Sequence, residues 1–392
     1  MIIGACESEG SLSQDLMKTV CMTFQSNVEE GTKALIRLAS DSGFGERIGL
    51  PAGFISTTVR ALRTNDWSEV GSAFANKEFI GGSGLFLLIG PYMRQHCATP
   101  SLVLTGVYGR VIPAEPAPHF SSVIAELFGQ AEEIDELVSF HCLASFGHAD
   151  ADRGEAFLVP DAWAFCNNKA GPALNNMTFQ QQRMDRCGDK YLSSVFSAPS
   201  REFLTRSLAN PAAATMIRHR EFQFHEAGHA AGLGLHRKLS MGVLPTAWHR
   251  GVEEWRADGV EFELLARMLP AERAGEAIAA NYCLRFGVDA HRRGQIEEDT
   301  DVVAALLCLD SLLAGGSLYI DVDRKLRFKD ESFTGLIDAS ERHRSNALQF
   351  TIDESSAGFE DRIQMLYGSL PVERSTRVIF EGLIRNASRD TC

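Results

Sequence analysis

His225-Glu226-Ala227-Gly228-His229 stands in a run with helical periodicity that starts at Asn210-Pro211 and reaches Leu233. The start has a chemical reason: Asn caps free N–H groups, and Pro at the first helical position gives up no hydrogen bond. Gly232 and Gly234 stop the run. Residues four apart lie one above the other on a helix face, so the imidazoles of His225 and His229 reach one ion at about 2.0–2.1 Å. Glu226 lies roughly 100° round the helix from His225, close enough to hold a water without ligating. An ion there lowers the pKa of its water toward about 7, and the Glu226 carboxylate takes the proton as general base.

The third ligand is sought downstream. A second helix is predicted from about Val252 to Met268, closed by Pro270, and it carries Glu253-Glu254-Trp255-Arg256-Ala257-Asp258. Glu254 follows His229 by 25 residues, and Asp258 lies one turn beyond it on the same face. A carboxylate at 258 can accept the outer N–H of a ligating histidine and fix its tautomer. Two histidines and one carboxylate with an open position form a catalytic rather than a structural zinc site. Glu253 competes as a ligand, but it points about 100° away and has Ala257, not an acid, four residues on. His236 is a second rival: His225-Glu226-x-x-His229-x-x-Gly232 also opens the metzincin pattern, whose third histidine falls at Leu235, with Met241 near the place of a methionine turn.

The combination of Gly228-His229-Ala230-Ala231-Gly232 with Glu253-Glu254-Trp255-Arg256-Ala257-Asp258 resembles the dipeptidyl-peptidase III family of zinc exopeptidases. That family carries His-Glu-x-x-Gly-His and, further on, Glu-Glu-x-Arg-Ala-Glu. Here the first motif is one residue shorter and Asp258 replaces the final Glu. The likeness spans some 35 of the 392 residues. It implies His225, His229 and Glu254 as zinc ligands, Glu226 as base and Asp258 as the acid behind a ligand. It further implies a downstream histidine that stabilises the transition state, for which His291 is the candidate. The implied cofactor is Zn2+ in a gluzincin-type site.

Outside these helices the chain reads as globular. Hydrophobic residues make up 45% and charged residues 23%, too apolar for disorder. Thirty-eight Lys and Arg against 51 Asp and Glu leave a net charge of −13, which argues against nucleic acid and against a polybasic membrane anchor. The longest greasy stretch, Phe79 to Met93, is 15 residues with four glycines and a proline, too short and broken to span a bilayer. Nine scattered cysteines with no Cys-x-x-Cys and a start without a basic n-region predict a cytoplasmic location.

Local signals fill in the rest. Leu16 to Leu38 has helical periodicity, the acids from Glu132 open a helix through Val138, and Leu102 to Tyr108 reads as a strand. Gly147 to Gly154 and Pro199 read as loop, and Gly81 to Gly84 as a turn. Val302 to Leu313 is a helix behind the acids Glu297 to Asp301, and Ser317 to Phe328 is a hairpin turning near Asp323-Arg324. His141-Cys142 reads as a helix end, and His148 with Asp150 and Asp152 as a polar loop; neither closes a metal site. Tyr282 and Tyr319 are both possible oxyanion donors.

The expected fold is mainly α with a minor β component, a two-lobed metalloprotease-like architecture with the His-Glu-x-x-His on a long helix. Residues 1–200 form a mixed α/β lobe that could bind substrate, and 201–392 a mainly helical, zinc-binding catalytic lobe. The expected activity is zinc-dependent hydrolysis of a peptide or amide bond in a small peptide or amide-containing metabolite. A non-peptidase zinc enzyme of a biosynthetic pathway and a catalytically inactive zinc-binding regulator are the alternatives.

Overall fold

The computed structural model describes residues 3–40, 49–93, 101–113, 137–149, 157–158, 162–166, 171–178, 191–206, 211–233, 235–292, 295–351, 358–369 and 372–385, with 123, 126–127, 182 and 208. Among them no helix is long and apolar enough to cross a membrane. The described structure is mostly helical with a small β component, as the sequence predicts. The chain divides into two compact units, Met1–Pro116 with Asp135–Gln182, and Ala117–Ile134 with Arg183–Cys392.

The first unit opens with helices α1 (Ile3–Ser26), α2 (Val28–Ala39), α3 (Ala52–Thr64) and α4 (Ser68–Ala75). The run expected as one helix from Leu16 to Leu38 is two, broken at Asn27. Its backbone is extended, and its side chain accepts from the Glu29 and Glu30 amides to cap α2. A five-stranded sheet follows, in the order β1-β2-β3-β5-β4, from β1 (Leu85–Met93), β2 (Leu102–Val111), β3 (Leu137–Phe146), β4 (Phe157–Leu158) and β5 (Ala173–Asn176). All pairs are antiparallel except β3 with β5.

The greasy stretch is explained by β1. Phe86 and Leu88 enter one core with Phe74, Phe79 and Trp163, while Leu85, Leu87 and Ile89 enter another with Val20, Phe24 and Leu35. A strand covered on both faces has no polar side to show, so it reads as a continuous apolar run.

The helix expected from Glu132 through Val138 is corrected. Residues 132–136 lie outside the described residues, and Leu137 and Val138 begin β3, paired in parallel with Ala173 and Leu174. Val138, Ser139 and Phe140 are buried between β2 and β5, and that slot outweighs the helix signal of acids preceding them. His141-Cys142 is accordingly mid-strand, not a helix end. Gly147–Ala149 is a single 3-10 turn; residues 150–154 of the expected loop lie outside the described residues. Gly81 to Gly84 is a turn, closed by the Gly84 amide donating to the Gly81 carbonyl at 2.8 Å.

The second unit contains α5 (Ala198–Arg206), α6 (Pro211–Ala230), α7 (Leu235–Ser240), α8 (Ala247–Met268), α9 (Ala271–Gly287) and α10 (Thr300–Ala314). A hairpin of β6 (Leu318–Ile320) and β7 (Leu326–Phe328) follows, then α11 (Phe333–Ala339), α12 (Glu341–Phe350), α13 (Phe359–Ser369) and α14 (Arg374–Ile379). Pro199, expected in a loop, sits in the first turn of α5, where its missing amide costs nothing. Asn210, the expected cap of α6, lies outside the described residues. The helix ends at Ala230 rather than Leu233, and Gly232 beyond it takes a left-handed φ of 67°. Asp299 caps α10 by accepting from the Asp301 and Val302 amides. The hairpin turns at Arg324, which has a φ of 59°.

Helix α8 runs through the middle of this unit, packed against α6, α10 and α12. Trp255, Val260, Phe262, Leu264 and Leu265 belong to its core. Yet Glu253, Arg256, Asp258 and Glu261 on the same helix are buried too. Four ionisable side chains inside a core must be paired. Their partners define the site.

Candidate metal centre

Helices α6 and α8 approach at Gly228. A Cβ there would stand 2.5 Å from the Ala257 carbonyl oxygen, so only glycine lets the backbones come this close. Arg256 Nη2 crosses the same junction and donates to the Gly228 carbonyl at 2.7 Å. The acids of α8 are thereby set against the histidines of α6.

His225 and His229 stand one turn apart with ring centroids 4.8 Å from each other and planes at 90°. Glu254 faces both. Its Oε2 is 3.3 Å from His225 Nε2 and its Oε1 is 3.5 Å from His229 Nε2. The ligating atoms of these three residues all lie within 4.8 Å of one another. Tetrahedral zinc with ligand bonds of about 2.0–2.1 Å sets neighbouring ligand atoms about 3.4 Å apart, so the donor set and its spacing fit that ion.

The outer nitrogens are held from behind. His225 Nδ1 is 2.9 Å from Asp258 Oδ1, and His229 Nδ1 is 3.1 Å from Glu253 Oε1. A carboxylate can only accept, so each Nδ1 carries a proton, which leaves Nε2 as the nitrogen an ion would take.

Each of these two carboxylates is in turn held by cations. Arg285 on α9 donates to Asp258 through Nε at 2.7 Å and Nη2 at 2.9 Å, and its Nη2 reaches Glu254 Oε2 at 3.5 Å. Asn281 Nδ2 donates to Asp258 Oδ1 at 3.1 Å and to Glu261 Oε2 at 3.2 Å. Glu253 accepts from Lys238 Nζ at 2.8 Å, from Arg256 at 2.7 and 2.9 Å, and from the Tyr367 hydroxyl.

The charges follow from these contacts. Burial alone would raise the Asp258 and Glu253 carboxyls, but Arg285 beside the first, and Arg256 with Lys238 beside the second, keep both below the usual carboxylate range. Burial disfavours charge on the two histidines, yet the surrounding carboxylates win. His225 is held well above the ordinary imidazole value, and His229 is lifted to about 9 by Glu254 and Glu253. Burial pushes Glu261 well up, and neighbouring Glu221 and Asp258 add to it. A pocket that raises two imidazoles is one that attracts positive charge.

The remaining expected residues are placed as follows. Glu226 is half-buried on α6 beside His225. His291 follows α9; its Nε2 is 3.0 Å from the Phe286 carbonyl and its ring stacks on Tyr191 at 4.1 Å. His236 is on α7, but its side chain lies outside the described residues. Met241 packs against the core of the second unit. Tyr282 is buried among Phe262 and Phe286, whereas Tyr319 is 40% exposed on β6.

Glu253, a rival ligand by sequence, is in the structure the residue behind His229. The 100° offset from Glu254 is what lets consecutive acids serve a lone-pair face and an outer nitrogen. Arg285, Asn281, Lys238 and Tyr367 went unnoticed, because no sequence spacing links them to the motif.

A family model described as a family of unknown function (DUF6014) matches residues 13–185, which excludes every helix of this site. No curated protein matches the chain. Solved structures similar to it include two dipeptidyl-peptidase III enzymes. The dipeptidyl-peptidase III of Caldithrix abyssi aligns with a TM-score of 0.56 and 14% identity, over 91% of this chain and 73% of that one. The dipeptidyl-peptidase III of Corallococcus sp. strain EGB aligns with a TM-score of 0.50 and 15% identity, over 92% and 67%. At such identity the likeness is one of fold. It agrees with the expected mainly helical, two-lobed architecture.

Proposed function

We propose that this protein is a zinc-dependent hydrolase that cleaves a peptide or amide bond in a small peptide-like substrate. The observation that carries the reading is the orientation of two imidazoles, each with Nδ1 tied to a carboxylate and Nε2 turned to Glu254. A dead or purely structural pocket has no need of a carboxylate at Glu226 beside an open ligand position. The fold shared with two dipeptidyl-peptidase III structures adds support at the level of architecture.

His225, His229 and Glu254 would hold the ion. Zinc bound there supplies a water of lowered pKa and polarises the scissile carbonyl. Glu226 takes the proton of the attacking water on its carboxylate and returns it to the leaving amine. Asp258 and Glu253 keep the proton on each Nδ1, which holds both rings in the orientation that offers Nε2. Arg285, Lys238 and Arg256 keep those two acids ionised. His291 would assist at the oxyanion only as an imidazolium. Its Nε2 is committed to the Phe286 carbonyl, so donation must come from Nδ1. Residues 1–200 are assigned substrate selection.

The test is hydrolysis of a panel of aminoacyl and dipeptidyl amides by wild type and Glu226→Gln, with metal content measured in both. Turnover by wild type and near-complete loss in Glu226→Gln, with zinc retained, is the expected result. Zinc bound but no amide turned over would move the activity to a different small metabolite. Unchanged function in Glu226→Gln would leave a regulator rather than an enzyme.

A further inference from the structure

The first unit holds a cavity of about 330 Å³ between α1 and the sheet. Lys18, Cys21 and Met22 of α1 line it on one side, Cys142 and its neighbours of β3 on the other, and Thr178 beyond β5. Three sulfur-bearing side chains therefore line one space, and among its described lining residues none is a carboxylate or an imidazole.

An irregularity in β3 brings this about. Its pairing with β2 passes from Tyr108↔Ala144 to Gly109↔Cys142, which leaves Leu143 as an extra residue. A bulge breaks the alternation of faces, and 142–145 are all half-buried instead of alternately in and out. The Cys142 amide donates to Thr178 Oγ1 at 3.0 Å and holds the strand in that place. Cys21 is 1% exposed, whereas Met22 is 67% exposed at the same wall. Burial, and then the neighbouring Cys142, push the Cys21 thiol up to about 12.

We propose that Cys21, Cys142 and Met22 form a binding site for a soft monovalent metal ion of the copper(I) class. Thiolate and thioether donors select such an ion, and the lining offers only the neutral oxygens of Ser145, Asn176, Thr178 and Gln182 and no carboxylate among its described residues, which disfavours calcium, magnesium and manganese. Binding replaces two thiol protons: Cu+ and two R–SH give an anionic bis(thiolate) and two H+ released to solvent, with no change of oxidation state. The single positive ion relieves the repulsion between the two thiolates. The product carries a net charge of −1, and Lys18 is the cation on the cavity wall that compensates it. Neutral Met22 at the mouth adds a third donor without adding charge.

The experiment uses the full chain, zinc-loaded, reduced and free of oxygen, with one equivalent of copper(I) delivered as its bicinchoninate complex. Iodoacetamide is then added and each cysteine peptide is followed by mass spectrometry. Copper is expected to slow Cys142 alkylation about tenfold and to leave cysteines outside the cavity unchanged. Met22→Leu, at an exposed position, should weaken copper retention against bicinchoninate several-fold with the protection pattern kept. Equal Cys142 reactivity with and without copper overturns the site, as does protection that falls on cysteines elsewhere. Retention of full copper affinity by Cys21→Ser also overturns it.

Discussion

Gly228 lies against Ala257 so closely that a Cβ on it would meet the Ala257 carbonyl oxygen at 2.5 Å. The opposing atom is backbone and cannot swing aside. This one contact sets the spacing at which His225 and His229 reach the acids of α8.

Gly228→Ala therefore has two opposed effects. Helix propensity favours Ala by about 1 kcal/mol, while forcing a methyl against a fixed carbonyl costs about 1–3 kcal/mol. The clash should win. Thermal unfolding is expected to move to lower temperature, and zinc content at limiting metal to fall, because α6 must back away from Glu254.

Elemental analysis separates the possible ligand sets. One zinc per chain is expected in wild type and in His236→Ala, and its loss in Glu254→Ala. Loss in His236→Ala with retention in Glu254→Ala would transfer the third ligand to α7.

Asp258 is buried and its charge rests on Arg285. Arg285→Met leaves a carboxylate without its cation, which for a buried pair costs about 3–5 kcal/mol. Arg285→Met with Asp258→Asn should recover part of that loss in chemical denaturation. Zinc affinity, however, should stay about 10–100-fold weaker in the double variant, since an amide at 258 holds His225 less well. Stability and affinity that recover together would contradict the role given to Asp258.

His343 supplies a pH test inside the same unit. Burial pushes it down to about 4, against the milder upward pull of Asp258 and of the Trp255 carbonyl, which is 2.6 Å from Nε2. A depressed histidine favours the neutral native form. Its contribution is complete above the unfolded value near 6.5 and is lost as pH falls from there toward 4. The size is about 3 kcal/mol on that shift. Wild type should therefore lose stability over that window, and His343→Gln should show a flatter slope there. An identical slope in the variant would place the acid sensitivity elsewhere.

The four-residue spacing of His225 and His229 and the run of acids from Glu253 to Asp258 are local facts. Helix geometry alone turns them into a shared face, so they can be read from the chain. The same holds for α10 behind its acids and for the hairpin at Arg324. The β3 strand was misread because acids ahead of Leu137 signal a helix, whereas a slot between β2 and β5, formed by distant residues, overrides them. Glu253 reads from the sequence as a rival ligand, since its angle round α8 says where it points and not that the outer nitrogen of His229 waits there.

By itself the sequence determined that His225 and His229 share one helix face and that Glu254 and Asp258 share another, because each helix carries its own periodicity. Only the tertiary structure decided which acid stands behind which ring. That depends on a glycine-wide gap between α6 and α8 and on cations from α7, α8 and α9. Buried charges are settled by neighbours across the core, 15 to 33 residues away along the chain for His225–Asp258 and Lys238–Glu253. No local pattern encodes that distance.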